Sequence, residues 1–252
     1  MSKKEKIQEA IKKIKKLQNH PDYEAAFVFG SVARDEIIEF SDLDVKVITT
    51  QDNPSIDILH PYIDGVKLDL SFQSYDQFLH NLKKEDENKI PQRITMIGES
   101  FILFDKTGFL TELREHYIKR GPKKFEPKDY EFQNFIIHHI NNKVERNLLT
   151  DPHSSLLAMH MGIGELLKIH YALQGHWWLS DKRLLKDLDS WDKVLADLLR
   201  KFISTSEVKT KFEFWTQIID HVQHIMGGRK DILRQKVISK VSKKGLKDLL
   251  SG

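Results

Sequence analysis

The chain has 252 residues, of which 40% are apolar and 31% charged; it contains no cysteine and carries a formal net charge of +3. That length suits one large domain or two modest ones with real cores, and the missing cysteines exclude disulfides, thiolate metal sites and a cysteine nucleophile. There is no run of about 18 apolar residues, so no transmembrane helix is expected. No apolar stretch follows the lysine-rich start, so a secretory signal is not expected either, and the reading is of a cytoplasmic protein. The small positive balance permits an anionic ligand such as a nucleotide and is too weak to indicate a nucleic-acid partner.

Residues 3–18 read as a helix, because Ile7, Ile11, Ile14 and Leu17 recur at helical spacing with lysines between them. Pro21 ends it. Residues 24–29 form an apolar run into Gly30-Ser31, which reads as a strand followed by a tight turn, with one or two helical turns over 32–36. Residues 42–49 alternate as a second strand. In 65–72, Val66, Leu68, Leu70 and Phe72 define one strand face and Lys67, Asp69 and Ser71 the other. Residues 75–83 and 86–96 look helical, 100–105 reads as a fourth strand and 108–119 as a helix.

The character then changes. Residues 120–127 carry a glycine and two prolines and read as a linker. Beyond them, 128–149, 154–174, 181–187, 191–203 and 208–226 show helical periodicity, with Gly175 and Gly227 placed as C-terminal caps. The tail from Gly228 onward is basic and reads as a loosely held helix. The expected fold class is α+β: a small mixed-sheet domain flanked by helices over residues 1–120, then an all-α helical-bundle domain over 121–252.

The chemistry concentrates in residues 29–47. Gly30-Ser31 follows a strand, and ten residues further on come Asp42-Leu43-Asp44 at the start of the next strand. Residues two apart in a strand share a face, so both carboxylates point into one space. Their mutual repulsion is relieved by a cation, and a few oxygen ligands plus substrate phosphates is how Mg²⁺ is usually held. Asp69, on the polar face of 65–72, is placed to supply a third carboxylate. Gly30 lets backbone approach a phosphate closely, and Ser31 adds donors for phosphate oxygens.

These residues resemble the nucleotidyltransferase superfamily that includes DNA polymerase β: Gly-Ser, about ten residues, Asp-x-Asp, then an acid on a neighbouring strand. "GSVARDE" also looks like the version found in bacterial minimal and antibiotic-modifying members, with Asp35 where glycine is usual. The resemblance covers roughly residues 24–72. It implies that Asp42, Asp44 and Asp69 bind Mg²⁺, that Gly30, Ser31 and Arg34 hold phosphates, and that an acceptor hydroxyl attacks the α-phosphorus of a nucleoside triphosphate, releasing pyrophosphate. Arg34 is equally readable as a surface ion-pair partner. Asp69 is the first candidate for the general base.

In antibiotic nucleotidyltransferases a helical domain forms the acceptor cleft, and the helical half here is the counterpart. Glu165 is the second candidate base, with Lys168 three residues away as a phosphate contact; the alternative is a simple (i, i+3) ion pair. The segment 175–188 resembles one in bacterial enzymes of this architecture, where Trp177 or Trp178 stacks on an acceptor and Lys182 meets the triphosphate; core packing is the default for at least one of these tryptophans. Arg146 and His153 fit the loose spacing of HEPN ribonucleases, with Pro152 interrupting. His138, His139, His160, His170, His221 and His224 read as core or surface residues, because no third ligand is evident. The expectation is an adenylyltransferase acting on a small hydroxylated acceptor such as an aminoglycoside-like antibiotic. The alternatives are a protein- or RNA-directed enzyme of antitoxin type and a non-catalytic nucleotide-binding protein.

Overall fold

The computed structural model describes residues 1–50 and 57–229. The chain divides into two units, one formed by Met1–Lys124 with Gln174–Asp181, the other by Phe125–Leu173 with Lys182–Gly252. The first boundary falls a few residues beyond the one expected at 120/121. A short segment, 174–181, also returns to the first unit, because Trp177 packs against that unit's core. Most of the basic tail lies outside the described residues.

In the first unit, helix α1 (Lys3–Ile14) starts at Ser2. The Ser2 side chain accepts from the Glu5 amide, and the Glu5 side chain accepts from the Ser2 amide. The helix buries Ile7, Ala10 and Ile14 and tightens into a 3-10 turn over Lys15–Asn19, rather than running on as one helix to residue 18. Strand β1 (Tyr23–Phe29) leads into the single-turn helix α2 (Gly30–Ala33), then β2 (Leu43–Thr49), β3 (Asp57–Leu59), β4 (Tyr62–Ile63), β5 (Val66–Ser74), α3 (Tyr75–Asn88), α4 (Gln92–Glu99), β6 (Phe101–Asp105) and α5 (Phe109–Arg120).

The sheet is mixed, with order β3-β5-β2-β1-β6; β4 forms a hairpin with β5. β1 is antiparallel to β2 and β6, whereas β2 and β5 run parallel. β1 is buried on both faces, which explains its continuous apolar run. Ala26 and Val28 meet α1 together with Val45, Val47, Leu68 and Leu70. Ala25 and Phe27 join Ile48 against Phe78, Leu82, Ile94, Ile97 and Leu110 from α3, α4 and α5. Asp44 and Asp69, side by side in β2 and β5, stay half-buried.

One expectation is corrected. A helix over 86–96 does not form: Pro91 has no amide hydrogen to donate and clashes with a preceding turn. Instead α3 runs on to Asn88, Lys89 adopts the left-handed conformation, and α4 starts after Pro91. Glu85 ties the new start down by accepting from the Arg93 amide and guanidinium. The stretch before residue 65 also contains the short strands β3 and β4. Asp64 (φ 52) and Gly65 (φ 76) both take positive φ between the paired Ile63 and Val66, the signature of a type I′ hairpin.

The second unit comprises α6 (Pro127–Asn147), α7 (Pro152–Gln174), α8 (from Asp181 to Trp191), α9 (Lys193–Ser204) and α10 (Val208–His224). Pro127 and Pro152 stand at helix starts, where their missing amide hydrogen costs nothing. α7 is apolar on most sides and buries Met159, Leu166, Leu167 and Ile169. Gly162 is where α7 meets its neighbours most closely: a Cβ there would lie 2.6 Å from the Trp215 ring and 2.7 Å from Ile140. The fully buried Trp215 satisfies its indole N–H on Asn141 at 2.9 Å. The architecture is α+β, a mixed sheet with flanking helices followed by a helical region.

Candidate active site

Strand register places the acidic residues. β1 and β2 pair Phe29 with Asp44, and β2 and β5 pair Asp44 with Asp69. Asp44 therefore stands abreast of the residue before Gly30 on one side and of Asp69 on the other. Asp42 lies just ahead of β2, two residues upstream on the same face. All three carboxyl groups are half-buried.

Gly30 has φ +72, and a Cβ there would come within 2.1 Å of the Asp44 Oδ2 atom. The Asp44 carboxylate lies against Gly30. The glycine is thus required twice, by its left-handed conformation and by the space Asp44 needs. Ser31 Oγ donates to Ser41 Oγ at 3.4 Å, and Ser41 Oγ accepts from the Ile38 amide at 2.9 Å, so the serine is tied to the loop that delivers Asp42. Asp35 keeps a positive φ of 57, the conformation glycine favours at that position; the short polar Asp tolerates it better than most residues.

A cation of the chain's own stands among the carboxylates. Lys67 Nζ is 2.9 Å from Asp42 Oδ2 and 3.2 Å from Asp69 Oδ1. His60 Nδ1 reaches Asp69 Oδ1 at 2.6 Å. Hydrogen bonds to Asp42 and Asp69 raise the Lys67 pKa. For Asp69, burial disfavours the ionised form, but hydrogen bonds and charge from Lys67 and His60 outweigh it and hold the pKa below the usual carboxylate value. That makes Asp69 a good cation ligand and a weak base in this arrangement. On the same strand face as Asp44, Lys46 is pushed down to about 8 by burial, reinforced by the nearby Arg93.

The donor set fits a hard divalent cation: three carboxylates from adjoining strands, with a glycine leaving room for one of them. Arg34 is engaged by Glu36 at 2.8 Å and Glu99 at 3.2 Å, the ion-pair arrangement. In the second unit, Glu165 pairs with Lys168 at 2.7 Å along α7, again the ion-pair arrangement, and Lys182 is exposed in the first turn of α8. Trp178 is buried, and Trp177 packs against the core cluster that holds Phe27. α6 ends at Asn147 and α7 begins at Pro152, so Arg146 and His153 lie on different helices. Sequence reasoning missed His60 and Lys67 as site residues. Lys67 carried a signal, two residues from Asp69 on a polar strand face, whereas a lone histidine ahead of an unrecognised hairpin carried none.

Residues 9–103, less than half of the chain, match the family model described as polymerase beta, nucleotidyltransferase. The matched span contains Gly30, Ser31, Asp42, Asp44 and Asp69 and supports nucleotide transfer as the general chemistry of the first unit. Among solved structures, the chain is similar to a nucleotidyltransferase-like protein from Exiguobacterium sibiricum 255-15, with a TM-score of 0.50 and 13% identity over 90% of this chain and 77% of that one. At that identity the likeness concerns the fold alone. No curated protein matches the chain.

Proposed function

We propose that the chain transfers a nucleoside monophosphate, AMP from ATP in the first instance, to a hydroxyl of a small-molecule acceptor and releases pyrophosphate. The observation that carries this reading is the register that sets Asp44 between Gly30 and Asp69. Asp42, Asp44 and Asp69 would hold Mg²⁺, which supplies Lewis-acid stabilisation of the charge that develops on the phosphoryl oxygens.

The chain's own residues do the rest. Ser31 and the backbone after Gly30 bind triphosphate oxygens from the start of α2. Lys67 neutralises Asp42 and Asp69 before the substrate arrives, and its ammonium would turn to phosphate oxygens where the carboxylates held a cation. Asp69 receives the acceptor's proton once Lys67 has left it, while His60 Nδ1 holds Asp69 Oδ1 in place. Glu165 is the second candidate base, and Lys168 and Lys182 are candidate phosphate contacts. An aminoglycoside-like compound is the acceptor class to test first.

The test is transfer of label from ATP to a panel of aminoglycosides, lincosamides, RNA and proteins, with pyrophosphate release as a second readout. Label on one small-molecule class, lost in Asp44→Ala, is the expected result. Label on RNA or protein would replace the acceptor assignment. ATP binding that ignores Mg²⁺, with no transfer to any acceptor, would overturn the enzyme reading.

A further inference from the structure

The second unit holds a polar cluster that nucleotide transfer does not use. His170 on α7 is fully buried, Asp192 is the residue that caps the start of α9, and His221 lies on α10. Asp192 Oδ1 accepts from the Leu195 amide at 3.0 Å, which fixes the carboxylate's orientation. Its Oδ2 lies 2.7 Å from Nε2 of His170 and 2.7 Å from Nε2 of His221. Three ligand atoms from three helical segments thus converge within 4.8 Å of one another. Trp191 stacks on His170 with centroids 5.4 Å apart and planes at 12°, and its indole N–H is held by Asp187 at 2.8 Å, so the buried imidazole is kept in one orientation. His221 retains 28% side-chain exposure, which leaves one side of the cluster open to water.

We propose that His170 Nε2, His221 Nε2 and Asp192 Oδ2 form a binding site for a borderline divalent transition ion, Zn²⁺ or its close relatives. The chemistry differs from that of the three strand carboxylates. Imidazole nitrogens suit Zn²⁺, whereas Mg²⁺ prefers an all-oxygen shell and dehydrates reluctantly. Zn²⁺ bonds of about 2.0–2.2 Å in tetrahedral geometry need ligand atoms about 3.3 Å apart. The two imidazoles therefore open by roughly half an ångström from hydrogen-bond contact to admit the ion, and water on the exposed His221 side completes the shell. The Leu195 amide and the Trp191 ring are outer contacts of the kind that hold metal ligands in place. Both rings bind as neutral imidazoles, with the proton on Nδ1. A carboxylate shared by two imidazoles is also a stable hydrogen-bonded cluster without metal, and the experiment separates the two.

The full chain, stripped with chelator, is titrated with Zn²⁺ by calorimetry in the presence of millimolar Mg²⁺, and with Co²⁺ by visible absorption. The expected result is one Zn²⁺ per chain, a Co²⁺ spectrum with the intense bands of a four-coordinate site, and a higher melting temperature on Zn²⁺ addition. His221→Gln should weaken binding at least about tenfold, as loss of a mere outer-shell partner already weakens sites by about 10–100-fold. Asp192→Asn, which can still cap α9, should do the same while the protein stays folded by circular dichroism. Asp69→Asn, with its neighbour His60 intact, should leave Zn²⁺ stoichiometry unchanged. No stoichiometric Zn²⁺ binding to the wild-type chain, or undiminished binding in His221→Gln and Asp192→Asn, would overturn the proposal. Neither outcome bears on nucleotide transfer.

Discussion

The chain carries two charged clusters built in different ways. The Asp42–Asp44–Asp69 group is assembled by strand register, so its partners are set by backbone pairing and a two-residue repeat. The His170–Asp192–His221 group is assembled by packing of helices, its members 22 and 29 residues from the shared aspartate. The first stays half-exposed and balances its charge with Lys67; the second is largely buried, with its carboxylate bonded to two imidazoles. A half-exposed cluster at one end of the sheet can exchange its counter-ion for a substrate complex. A buried cluster stitched between helices holds what it has.

The largest expected effect lies in the strand cluster. Asp44→Ala should reduce transfer by about a thousandfold or more, equivalent to roughly 4 kcal/mol of transition-state stabilisation. Its melting temperature should stay within a few degrees of wild type, because the side chain belongs to no core cluster. Retained pyrophosphate release would show that the carboxylates do not hold the reactive cation.

Two glycines test the same contrast with one added methyl group each. Gly30→Ala drives a Cβ into the Asp44 carboxylate and strains a residue at φ +72. It should cost about 1–3 kcal/mol of stability and also about a hundredfold in transfer, since the reacting groups are displaced. Gly162→Ala meets Trp215 and Ile140 in the helical unit. It should cost a similar 1–3 kcal/mol through overpacking, read as a lower urea midpoint, with Mg²⁺–ATP binding intact. If both variants lose ATP binding equally, the two units do not act as separate structural regions.

The sequence made the strand cluster legible because its determinants are local. Gly30-Ser31, the ten-residue spacing and the alternation of 65–72 each follow from backbone geometry that repeats at short range. The Asp64-Gly65 hairpin was equally local, a dipeptide that favours positive φ, and it brings His60 toward Asp69. The break at Pro91 was also written in the sequence. What was not legible is whatever depends on which helix packs against which. Periodicity marked α7 and α10 as helices, but it does not say that His170 and His221 would share Asp192. Nor does the motif reveal that Arg34 is drawn to Glu36 and Glu99, because Glu99 arrives from a helix 65 residues away.

Lys46 offers a smaller effect and a sign that can be checked. Its folded pKa of about 8 lies below the ordinary lysine value, so the half-buried ammonium is a cost at neutral pH. Both folded and unfolded chains carry the proton at pH 7. Between about pH 8 and 10.5 the folded chain releases it first, so the unfolded state binds more protons and stability rises with pH through that window. Lys46→Met removes the cost and should stabilise the protein by on the order of 1–3 kcal/mol at pH 7, a gain that shrinks towards pH 10.5. A denaturant series at several pH values measures it, and a pH-independent gain would point to packing instead.

The smallest effect asks whether the chain's own cation and the metal compete. Lys67 bridges Asp42 and Asp69, so a divalent ion that takes both oxygens must displace its ammonium. Lys67→Met should therefore tighten Mg²⁺ binding to the chain without nucleotide, on the order of 3–10-fold at low salt and less as salt screens the exposed pair. With Mg²⁺–ATP present the same substitution should weaken binding, because the displaced ammonium has lost its phosphate partner. Opposite signs in the two titrations are the expected signature of a lysine that exchanges carboxylates for phosphates. The same sign in both would make Lys67 a fixed structural ion pair.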